Sequence, residues 1–252
     1  MFMKIAIITG GSRGLGKDMA MNIAAKGNDV ILTYNSKKEE AEAVVASIEK
    51  QGRKAVALHL DVSNTKSFAA FREAIKETLR QVWEREDFDF LINNAGFGIN
   101  VPFTETTEEQ FDQLVNVHLK GTFFLSQTLL PLMVNGGRII NISSGLARFS
   151  FPGNSAYGAV KGAIEVLTRY MAVELGQRGI VVNVVAPGAI ATDFGGGAVR
   201  DNKDVNQFVA SQIALGRAGQ PEDIGGAVAA LLAEETGWIN GQRIEVSGGM
   251  RL

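Results

Sequence analysis

Cysteine is absent from the 252-residue sequence, and histidine and tryptophan occur only twice each. The absence of cysteine excludes disulfide bonds, a thiolate nucleophile and any cysteine-ligated metal. No apolar run reaches the roughly 20 residues that cross a bilayer, and the N-terminus carries no signal-peptide cleavage pattern. The formal net charge is -2 and long Lys/Arg blocks are missing, which argues against nucleic-acid or anionic-membrane partners. We therefore expect a cytoplasmic protein that acts on a small molecule.

What the sequence does contain is the composition of a compact globular domain, with 46% hydrophobic and 21% charged residues. No linker divides it, so one domain over 1–252 is predicted. Short β-branched runs predict strands over 4–9, 29–34, 55–60, 88–92, 138–142, 181–185 and 243–246. Amphipathic segments predict helices over 15–26, 38–51, 65–83, 107–133, 155–177 and 221–233. This alternation predicts an α/β fold, a single-domain Rossmann-like doubly wound parallel sheet of about seven strands with helices on both faces.

A glycine-rich turn follows the first predicted strand and reads Thr9-Gly10-Gly11-Ser12-Arg13-Gly14-Leu15-Gly16. Glycines let the backbone turn tightly and approach a pyrophosphate, and the N-terminus of the next helix attracts that anion. The turn is therefore predicted to bind a dinucleotide. Its spacing, Gly-xxx-Gly-x-Gly, differs from the common Gly-x-Gly-x-x-Gly fingerprint.

A tyrosine and a lysine stand four residues apart in a predicted helix, at Tyr157 and Lys161, thirteen residues after Ser144. Positions i and i+4 share a helix face, so Lys161 can stabilise the Tyr157 phenolate. The spacing predicts a proton donor that works near neutral pH. Considered alone, such a pair also fits an exposed helix surface.

Further motifs follow other predicted strands: Asn93-Asn94-Ala95-Gly96 after the fourth, Pro187-Gly188 after the sixth, and a closing Val246-Ser247-Gly248-Gly249. With the glycine-rich turn, Ser144 and the Tyr157/Lys161 pair, the chain resembles the short-chain dehydrogenase/reductase family from end to end. Within that family it looks most like the 3-oxoacyl-carrier-protein reductase type. The resemblance implies an oxidoreductase that transfers a hydride between a nicotinamide cofactor and a ketone or secondary alcohol.

The resemblance also implies the roles of the central residues. Tyr157 would be the general acid/base at the carbonyl oxygen, and Lys161 would lower its pKa and hydrogen-bond the nicotinamide ribose. Ser144 would hold the substrate oxygen as a neutral donor. Ser143 is adjacent, but the thirteen-residue separation from the tyrosine that is usual in the family selects Ser144.

One position departs from the family pattern. Where the family has Asn-Leu-x-Gly-x-Phe, this chain reads His118-Leu119-Lys120-Gly121-Thr122-Phe123, so His118 replaces the fourth catalytic residue. The family's Asn holds a water that links the lysine to solvent, through a backbone carbonyl in a locally distorted helix. Asn116 lies about 200° around the helix and is not a direct substitute. His118 can anchor water or relay protons near neutrality; the alternative is a packed ring with one satisfied nitrogen.

The end of the second predicted strand indicates the cofactor. An acidic residue there would bind the ribose 2′-hydroxyl of NAD, but Tyr34 occupies the position. Arg13, Asn35, Ser36 and Lys37 can instead surround a 2′-phosphate, so NADP(H) is preferred over NAD(H). Lys37 fits equally a solvated helix start.

The remaining cofactor contacts implied by the resemblance follow other strands. Asp61 and Val62 would contact the adenine, although an Asp there can also cap a turn. Asn93, Ala95 and Gly96 would approach the adenosine ribose, and Asn93 can also tie strands together. The loop over the nicotinamide would comprise Pro187, Gly188, Ile190 and Thr192. Gly10, Ser12, Arg13, Gly14, Leu15 and Gly16 would form the phosphate turn.

Residues 191–214, with Phe194 and three consecutive glycines at 195–197, predict a mobile substrate lid or a flexible spacer. An apolar substrate pocket is predicted from Phe97, Ile99, Leu146, Phe149, Phe151 and Phe194. Its character fits an acyl chain or an aromatic ketone. Arg148 can meet an anionic substrate group or lie at the surface.

Two other functions remain open for this scaffold. A dinucleotide-sensing regulator would keep the fold without chemistry, and a dehydratase or epimerase would cycle NAD(P) without net turnover. A homotetramer assembled through the predicted helices 107–133 and 155–177 is implied by the resemblance. No metal site is expected.

Overall fold

A parallel sheet of seven strands forms the centre of the molecule in the computed structural model, which describes residues 3–252. The strands are β1 (Ile5–Ile8), β2 (Asp29–Tyr34), β3 (Ala55–His59), β4 (Phe88–Asn93), β5 (Met133–Ile142), β6 (Val181–Pro187) and β7 (Arg243–Val246). They lie in the order β3-β2-β1-β4-β5-β6-β7, with every neighbouring pair parallel. The predicted single-domain α/β fold is confirmed; Met1 and Phe2, the first residues of the predicted domain, lie outside the described residues.

Helices cover both faces of this sheet. They are α1 (Gly14–Ala25), α2 (Lys38–Glu49), α3 (Phe68–Trp83), α4 (Glu108–Leu114), α5 (Gly121–Leu129), α6 (Ser155–Leu175), α7 (Ala198–Asp201), α8 (Lys203–Ser211) and α9 (Pro221–Leu231). One buried cluster joins α1, α2 and α9 to the sheet, and a second joins α3, α5 and α6 to its other face. Residues of β1 alternate between the two clusters, which explains why the strands are apolar on both sides.

The chain order places a switch point at β1. The chain builds outward from β1 to β2 and β3, and then returns to β4 on the other side of β1. Loops leaving the carboxyl ends of β1 and β4 therefore diverge and open a crevice, where doubly wound sheets bind their ligands.

The predicted helix over 107–133 is interrupted, which corrects its boundaries. A π-helical turn, Val115–Lys120, separates α4 from α5, and a 3₁₀ turn, Leu130–Leu132, follows α5. The Gly121 amide donates to the Asn116 carbonyl five residues back, the spacing of a π-helix. This is the local distortion that the family resemblance implies. Strand β5 also begins before its predicted start at 138, because Met133 already pairs with Phe88 ahead of a register irregularity.

Residues 191–214 contain short helices that the sequence did not predict. A 3₁₀ turn, Phe194–Gly197, leads into α7 and α8, and Asn202 caps α8 by accepting from the Asp204 and Val205 amides. Elsewhere, no helix of residues 3–252 combines the length and apolar character needed to cross a bilayer.

Candidate active site

The glycine-rich turn occupies the crevice edge between β1 and α1. Gly10 has a φ of 66°, a conformation that favours glycine, and a side chain at Gly16 would collide with the Gly10 carbonyl. Among residues 3–252, none caps the start of α1 through its side chain, and the first turn of α1 carries no acidic residue. The amides of this turn are therefore open to an anion. All six predicted residues of the turn, Gly10, Ser12, Arg13, Gly14, Leu15 and Gly16, lie here.

Asn94 holds the turn against β4, a role that sequence reasoning missed. Its Nδ2 donates to the carbonyls of Thr9 at 2.9 Å and Gly10 at 3.1 Å. In return, the Thr9 hydroxyl accepts from the amides of Asn94 at 2.9 Å and Ala95 at 3.0 Å. The two strand ends that flank the crevice are thus locked together. The doubled Asn in the motif was the signal available in the sequence.

The end of β2 presents an aromatic ring and polar side chains instead of a carboxylate. Tyr34 packs edge-on against His59 of β3, with ring centroids 5.8 Å apart, and Asn35 and Ser36 are exposed beside it. Arg13 reaches into solvent and pairs with Asp193 at 3.8 Å. Lys37 lies 3.8 Å from Glu40 at the start of α2, as a solvated helix start would.

The residues after β3 and β4 divide between binding and structural contacts. The Asp61 carboxylate accepts from the Ser63 amide at 2.9 Å and hydroxyl at 2.7 Å, so it caps a turn; Val62 is half-buried beside it. Asn93 donates to Asn141 at 2.8 Å and to Ser126 at 2.9 Å, which ties β4 to β5 and α5. Both structural alternatives weighed from sequence are therefore present. Ala95 lines a small cavity with Thr9 and Val62, and Gly96 packs against the His118 ring.

Ser144, Tyr157 and Lys161 come together at the carboxyl edge of β5. Ser144 starts a 3₁₀ turn, and its hydroxyl accepts from the Leu146 amide at 3.2 Å. Tyr157 and Lys161 occupy one face of α6, with the lysine Nζ 5.7 Å from the phenol ring centroid. Lys161 Nζ donates to the Ile142 carbonyl at 2.7 Å. The spacing read from the sequence thus places all three side chains in one site.

Burial dominates the electrostatics of this group. Burial raises the pKa of the Tyr157 phenol well above its usual range, and a hydrogen bond with Ser144 lowers it only in part. Burial lowers the pKa of the Lys161 ammonium to about 7. The resemblance implies that Lys161 lowers the pKa of the Tyr157 phenol. The pKa of this phenol is raised instead, because desolvation outweighs the other effects. Tyr157 is therefore a protonated donor at neutral pH.

His118 lies in the π-helical turn against Tyr157, with ring centroids 5.5 Å apart. Its Nε2 donates to the Phe97 carbonyl at 2.8 Å, while Nδ1 finds no hydrogen-bond partner within residues 3–252. Burial first, and then the Lys161 charge, lowers the pKa of His118 to about 3. A relay that titrates near neutrality does not fit this pKa. The geometry is that of the packed ring with one satisfied nitrogen.

The depressed pKa of His118 predicts a pH-dependent stability. The ring is neutral in the folded protein, whereas its pKa near 6.5 in the unfolded chain lets it bind a proton as pH falls. The contribution of the neutral ring to the free energy of unfolding is complete above pH 6.5. This contribution is lost progressively as pH falls from 6.5 to 3, by up to about 1.4 kcal/mol per pH unit. Compared with His118→Asn, the wild type should lose about 2 kcal/mol more unfolding free energy between pH 6.5 and 5 in urea titrations.

The same variant tests the relay. If His118 passes no protons, the pH–rate profiles of the variant and the wild type keep the same shape from pH 6 to 9. The folded ring would titrate if the unfolding free energies of the two proteins fell equally on acidification. The same would follow if the variant lost an inflection that the wild-type rate profile shows.

The segment after β6 faces the glycine-rich turn across a cleft of about 270 Å³. Gly14, Lys17, Ala191, Thr192 and Arg200 are among its lining residues. The loop is held in place from both sides, since the Gly188 amide donates to Val246 at 3.0 Å and Ile190 pairs with Gly219. Of the four predicted residues, Thr192 lines the cleft, whereas Pro187, Gly188 and Ile190 belong to the stretch of chain that leads to it.

Aromatic rings surround the phenol. Phe194 reaches from the segment 191–214 to within 5.7 Å of the Tyr157 ring centroid and packs on Gly98. Phe97 lies against His118, and Ile99 and Leu146 pack into the same apolar cluster as Tyr157. Phe149 and Phe151 pack instead with α8 and Met250 in a second cluster. The predicted pocket residues thus form two adjoining apolar groups.

Arg148 does not face a substrate. Its guanidinium pairs with both Glu245 oxygens, at 2.7 and 2.9 Å, and donates to the Met250 and Arg251 carbonyls. Its donors are committed to β7 and the end of the chain.

A doubly wound sheet that brings a glycine-rich turn and a Ser-Tyr-Lys group to the same crevice defines a nucleotide-dependent oxidoreductase. Known proteins agree with this class. The family model described as enoyl-(acyl carrier protein) reductase matches residues 10–251. The chain is 34% identical to the hydroxynaphthalene reductase-like protein Arp2 of Metarhizium majus, over 98% of this chain and 94% of that protein. It is 38% identical to a short-chain dehydrogenase/reductase of Pestalotiopsis microspora, with the same coverage.

Solved structures give the same result. The reductase LugOII, which catalyses keto-reduction at C1 in lugdunomycin biosynthesis, superposes with a TM-score of 0.94 at 36% identity, covering 99% of this chain and 98% of its own. The angucycline C-6 ketoreductase LanV with bound NADP has a TM-score of 0.93 at 35% identity, covering 98% and 95%. The chain belongs to the short-chain dehydrogenase/reductase family and is an oxidoreductase.

Proposed function

We propose that the protein is an NADP(H)-dependent ketoreductase in which Tyr157 is the general acid/base. The observation that carries this proposal is the group of Ser144, Tyr157 and Lys161 at the crevice, beside the open amides of α1. Relatives named as ketoreductases, LanV among them with bound NADP, support the same reaction and cofactor.

Each residue of the group has a role that its position supports. Tyr157, protonated at neutral pH, donates its phenolic proton to the carbonyl oxygen during reduction. Ser144 donates a hydrogen bond to that oxygen as negative charge develops. Lys161 is buried beside the phenol and would hydrogen-bond the nicotinamide ribose of a bound cofactor. NADPH, when bound, supplies the hydride. His118 holds the Phe97 backbone and packs against the phenol, which makes it a positioning residue.

The residues of the crevice fit an NADP(H) molecule. The amides of Gly14, Leu15 and Gly16 would hold the pyrophosphate, and Arg13 with Asn35 and Ser36 would hold the 2′-phosphate. Val62 and Ala95 would contact the adenosine, together with the free oxygen of Asp61. Pro187, Gly188, Ile190 and Thr192 would cover the nicotinamide. Tyr34, where the family's NAD-binding members carry an acid, would not repel a phosphate.

Charge reversal at Arg13 tests the cofactor preference. Arg13→Glu should weaken NADPH binding about 10- to 100-fold, because a charge-assisted contact is lost, and should leave NADH binding nearly unchanged. Fluorescence titration with both cofactors measures the two dissociation constants. Lys38→Glu is the matched control. Lys38 lies at the start of α2, shortly after β2, and pairs with Glu42 rather than with the proposed phosphate site. Equal losses for NADPH and NADH would sink the assignment.

An aromatic ketone is the proposed substrate class. Phe194 and Phe97 lie around the Tyr157–His118 pair, and Arg148, the basic group that follows Ser144, is committed to Glu245. The names of Arp2 and LanV point to fused aromatic substrates for those relatives. A 3-oxoacyl thioester is the second candidate, favoured by the acyl-carrier description of the matching family model.

Absorbance at 340 nm discriminates these functions. NADPH and NADH are each offered with aryl ketones, cyclic ketones, sugars and β-ketoacyl thioesters. Net oxidation of NADPH by aryl ketones is the expected result. Binding without oxidation would identify a sensor, and product formation at constant absorbance would identify a dehydratase or epimerase.

The domain, its lid and its assembly complete the proposal. Residues 191–214 act as the substrate lid of one NADP(H)-binding domain over 1–252, because Phe194 already reaches Tyr157. A homotetramer assembled through α4, α5 and α6 is supported by exposed apolar side chains on these helices, at Phe111, Phe123, Phe124, Val166 and Val173. The cytoplasm is its proposed location.

A further inference from the structure

Ser143, the neighbour of the predicted catalytic serine, takes part in a polar network of its own. Its side chain is buried, and its hydroxyl donates to Oε1 of Glu165 at 2.8 Å. The same hydroxyl lies 3.2 Å from the backbone carbonyl of Lys161. Glu165 stands one helical turn beyond Lys161 on α6, so Ser143 contacts the helix that carries the phenol and the ammonium.

Arg243 extends this network from β7. Its Nε donates to Oε1 of Glu165 at 2.7 Å, and a second nitrogen donates to Glu245 at 2.8 Å. The third lies 3.4 Å from the backbone carbonyl of Ser144. One guanidinium therefore contacts the backbone of Ser144 and the carboxylate that binds Ser143.

The ion pair is partly shielded from water. The Glu165 and Arg243 side chains are 14% and 23% exposed, and Arg243 reaches across β6 from the adjacent strand. Such a pair is screened less than a surface pair and holds its geometry through several charge-assisted bonds. It connects β7 to α6 and to the segment that follows β5, the two parts of the chain that carry the Ser-Tyr-Lys group.

This connection matters because the hydroxyls of Ser144 and Tyr157 must converge on one substrate oxygen. They sit on different elements, a strand end and a helix, and a displacement of about 1 Å can cost 10²-fold in rate. Glu165 and Arg243 link those elements through their contacts with Ser143 and with the backbone of Ser144.

We propose that Glu165 and Arg243 are positioning residues that set the Ser144 hydroxyl against Tyr157 and Lys161. The inference rests on the proposed ketoreductase function of the site. Ser143 is the third member of this positioning group, which explains a buried serine that the catalytic roles do not use.

Two substitutions of Arg243 test the proposal. Arg243→Met should lower kcat for ketone reduction about 10-fold, because the segment that carries Ser144 could then shift by less than an ångström relative to α6. NADPH affinity should stay within twofold of wild type. Arg243→Lys should recover most of kcat, since an ammonium can still pair with Glu165. Glu165→Gln, which keeps the shape and weakens the pair, provides a second variant should Arg243→Met fold poorly.

Arg85→Met is the matched control. Arg85 pairs with Asp89 at 3.0 Å with side chains 21% and 14% exposed, a comparable ion pair at the start of the central strand β4. Its loss should lower the melting temperature to a similar extent and leave kcat unchanged. A structural role alone for Arg243 would give the same pattern as this control.

Amide hydrogen exchange gives a readout that does not need turnover. A peptide covering residues 143–149 should exchange several-fold faster in Arg243→Met than in wild type, and at the wild-type rate in Arg85→Met. Unchanged exchange together with unchanged kcat in Arg243→Met and Glu165→Gln would overturn the proposal. If the wild type reduced no ketone, the ketoreductase function would fail, while exchange would still decide whether Arg243 holds this segment.

Discussion

Tyr157→Phe is expected to lower kcat/KM for ketone reduction by about 10²- to 10⁴-fold, the range for losing a general acid. The change removes one oxygen and keeps the ring that packs against His118 and Phe194. NADPH affinity and folding should therefore change little. Steady-state rates at 340 nm and the NADPH dissociation constant, measured by fluorescence, separate the two effects.

Tyr170→Phe is the control for this experiment. Tyr170 lies on the same helix and is 65% exposed, so the same loss of an oxygen there should leave the rate unchanged. If Tyr157→Phe retained more than a tenth of wild-type turnover, another group would have to supply the proton. The assignment of the acid would then be wrong.

Ser144→Ala is expected to lower kcat by about 10²- to 10³-fold, the usual cost of removing one donor to a developing oxyanion. The Ser144 hydroxyl accepts from the Leu146 amide and lies near the Tyr157 phenol, so it is held beside the position proposed for the substrate oxygen. KM for the ketone should rise less than kcat falls, because the bond is strongest in the transition state. Ser47→Ala, which removes an exposed hydroxyl bonded within α2, is the control and should change nothing.

The double variant Ser144→Ala/Tyr157→Phe extends this prediction. In the proposed mechanism Ser144 and Tyr157 act on the same oxygen, so the fold-loss in kcat of the double variant should be much smaller than the product of the two single fold-losses. Fully multiplicative losses would show that the two hydroxyls act independently, which contradicts a shared site.

Sequence patterns were sufficient for the parts of the fold that depend on burial. Strands buried on both faces are almost continuously apolar. Ile5–Ile8 is apolar throughout, Val181–Pro187 is apolar except at Asn183, and both were predicted within a few residues. The Tyr157/Lys161 spacing also carried over directly, because helix geometry alone puts positions i and i+4 on one face.

Local backbone irregularities were harder to predict. The π-helical turn Val115–Lys120 changes the hydrogen bonds of a single turn and leaves the apolar periodicity of the predicted helix 107–133 almost intact. Gly121, which ends this turn, lies close to the Val62 carbonyl, a tertiary contact that no short window of sequence contains. The short helix α8 was missed because it packs against the C-terminal residues of the chain through Val209.

Polar partners distant in sequence were not predictable either. The sequence allows Arg148 to contact a substrate, whereas the structure pairs it with Glu245, 97 residues away. Asn94 binds Thr9 across 85 residues, and Arg243 meets Glu165 across 78. Charged and amide side chains carry no periodic signal that identifies their partner, so only the folded chain shows which of them are free.

The pKa values show the same limit. A Tyr-xxx-Lys spacing suggests a lowered phenol pKa, yet burial raises the pKa of Tyr157 and lowers that of Lys161. The degree of burial depends on Phe194 and His118, which come from other parts of the chain. A protonated phenol remains suited to ketone reduction, where the group acts first as an acid.

Transfer of deuterium from NADPH to the product tests the central claim most directly. The wild-type protein is incubated with NADPH dideuterated at C4 and an aryl ketone, and the product is analysed by mass spectrometry. The account predicts one secondary alcohol per NADPH oxidised, with one deuterium on the carbinol carbon. An unlabelled product, or NADPH that stays reduced across the whole ketone panel, would contradict it.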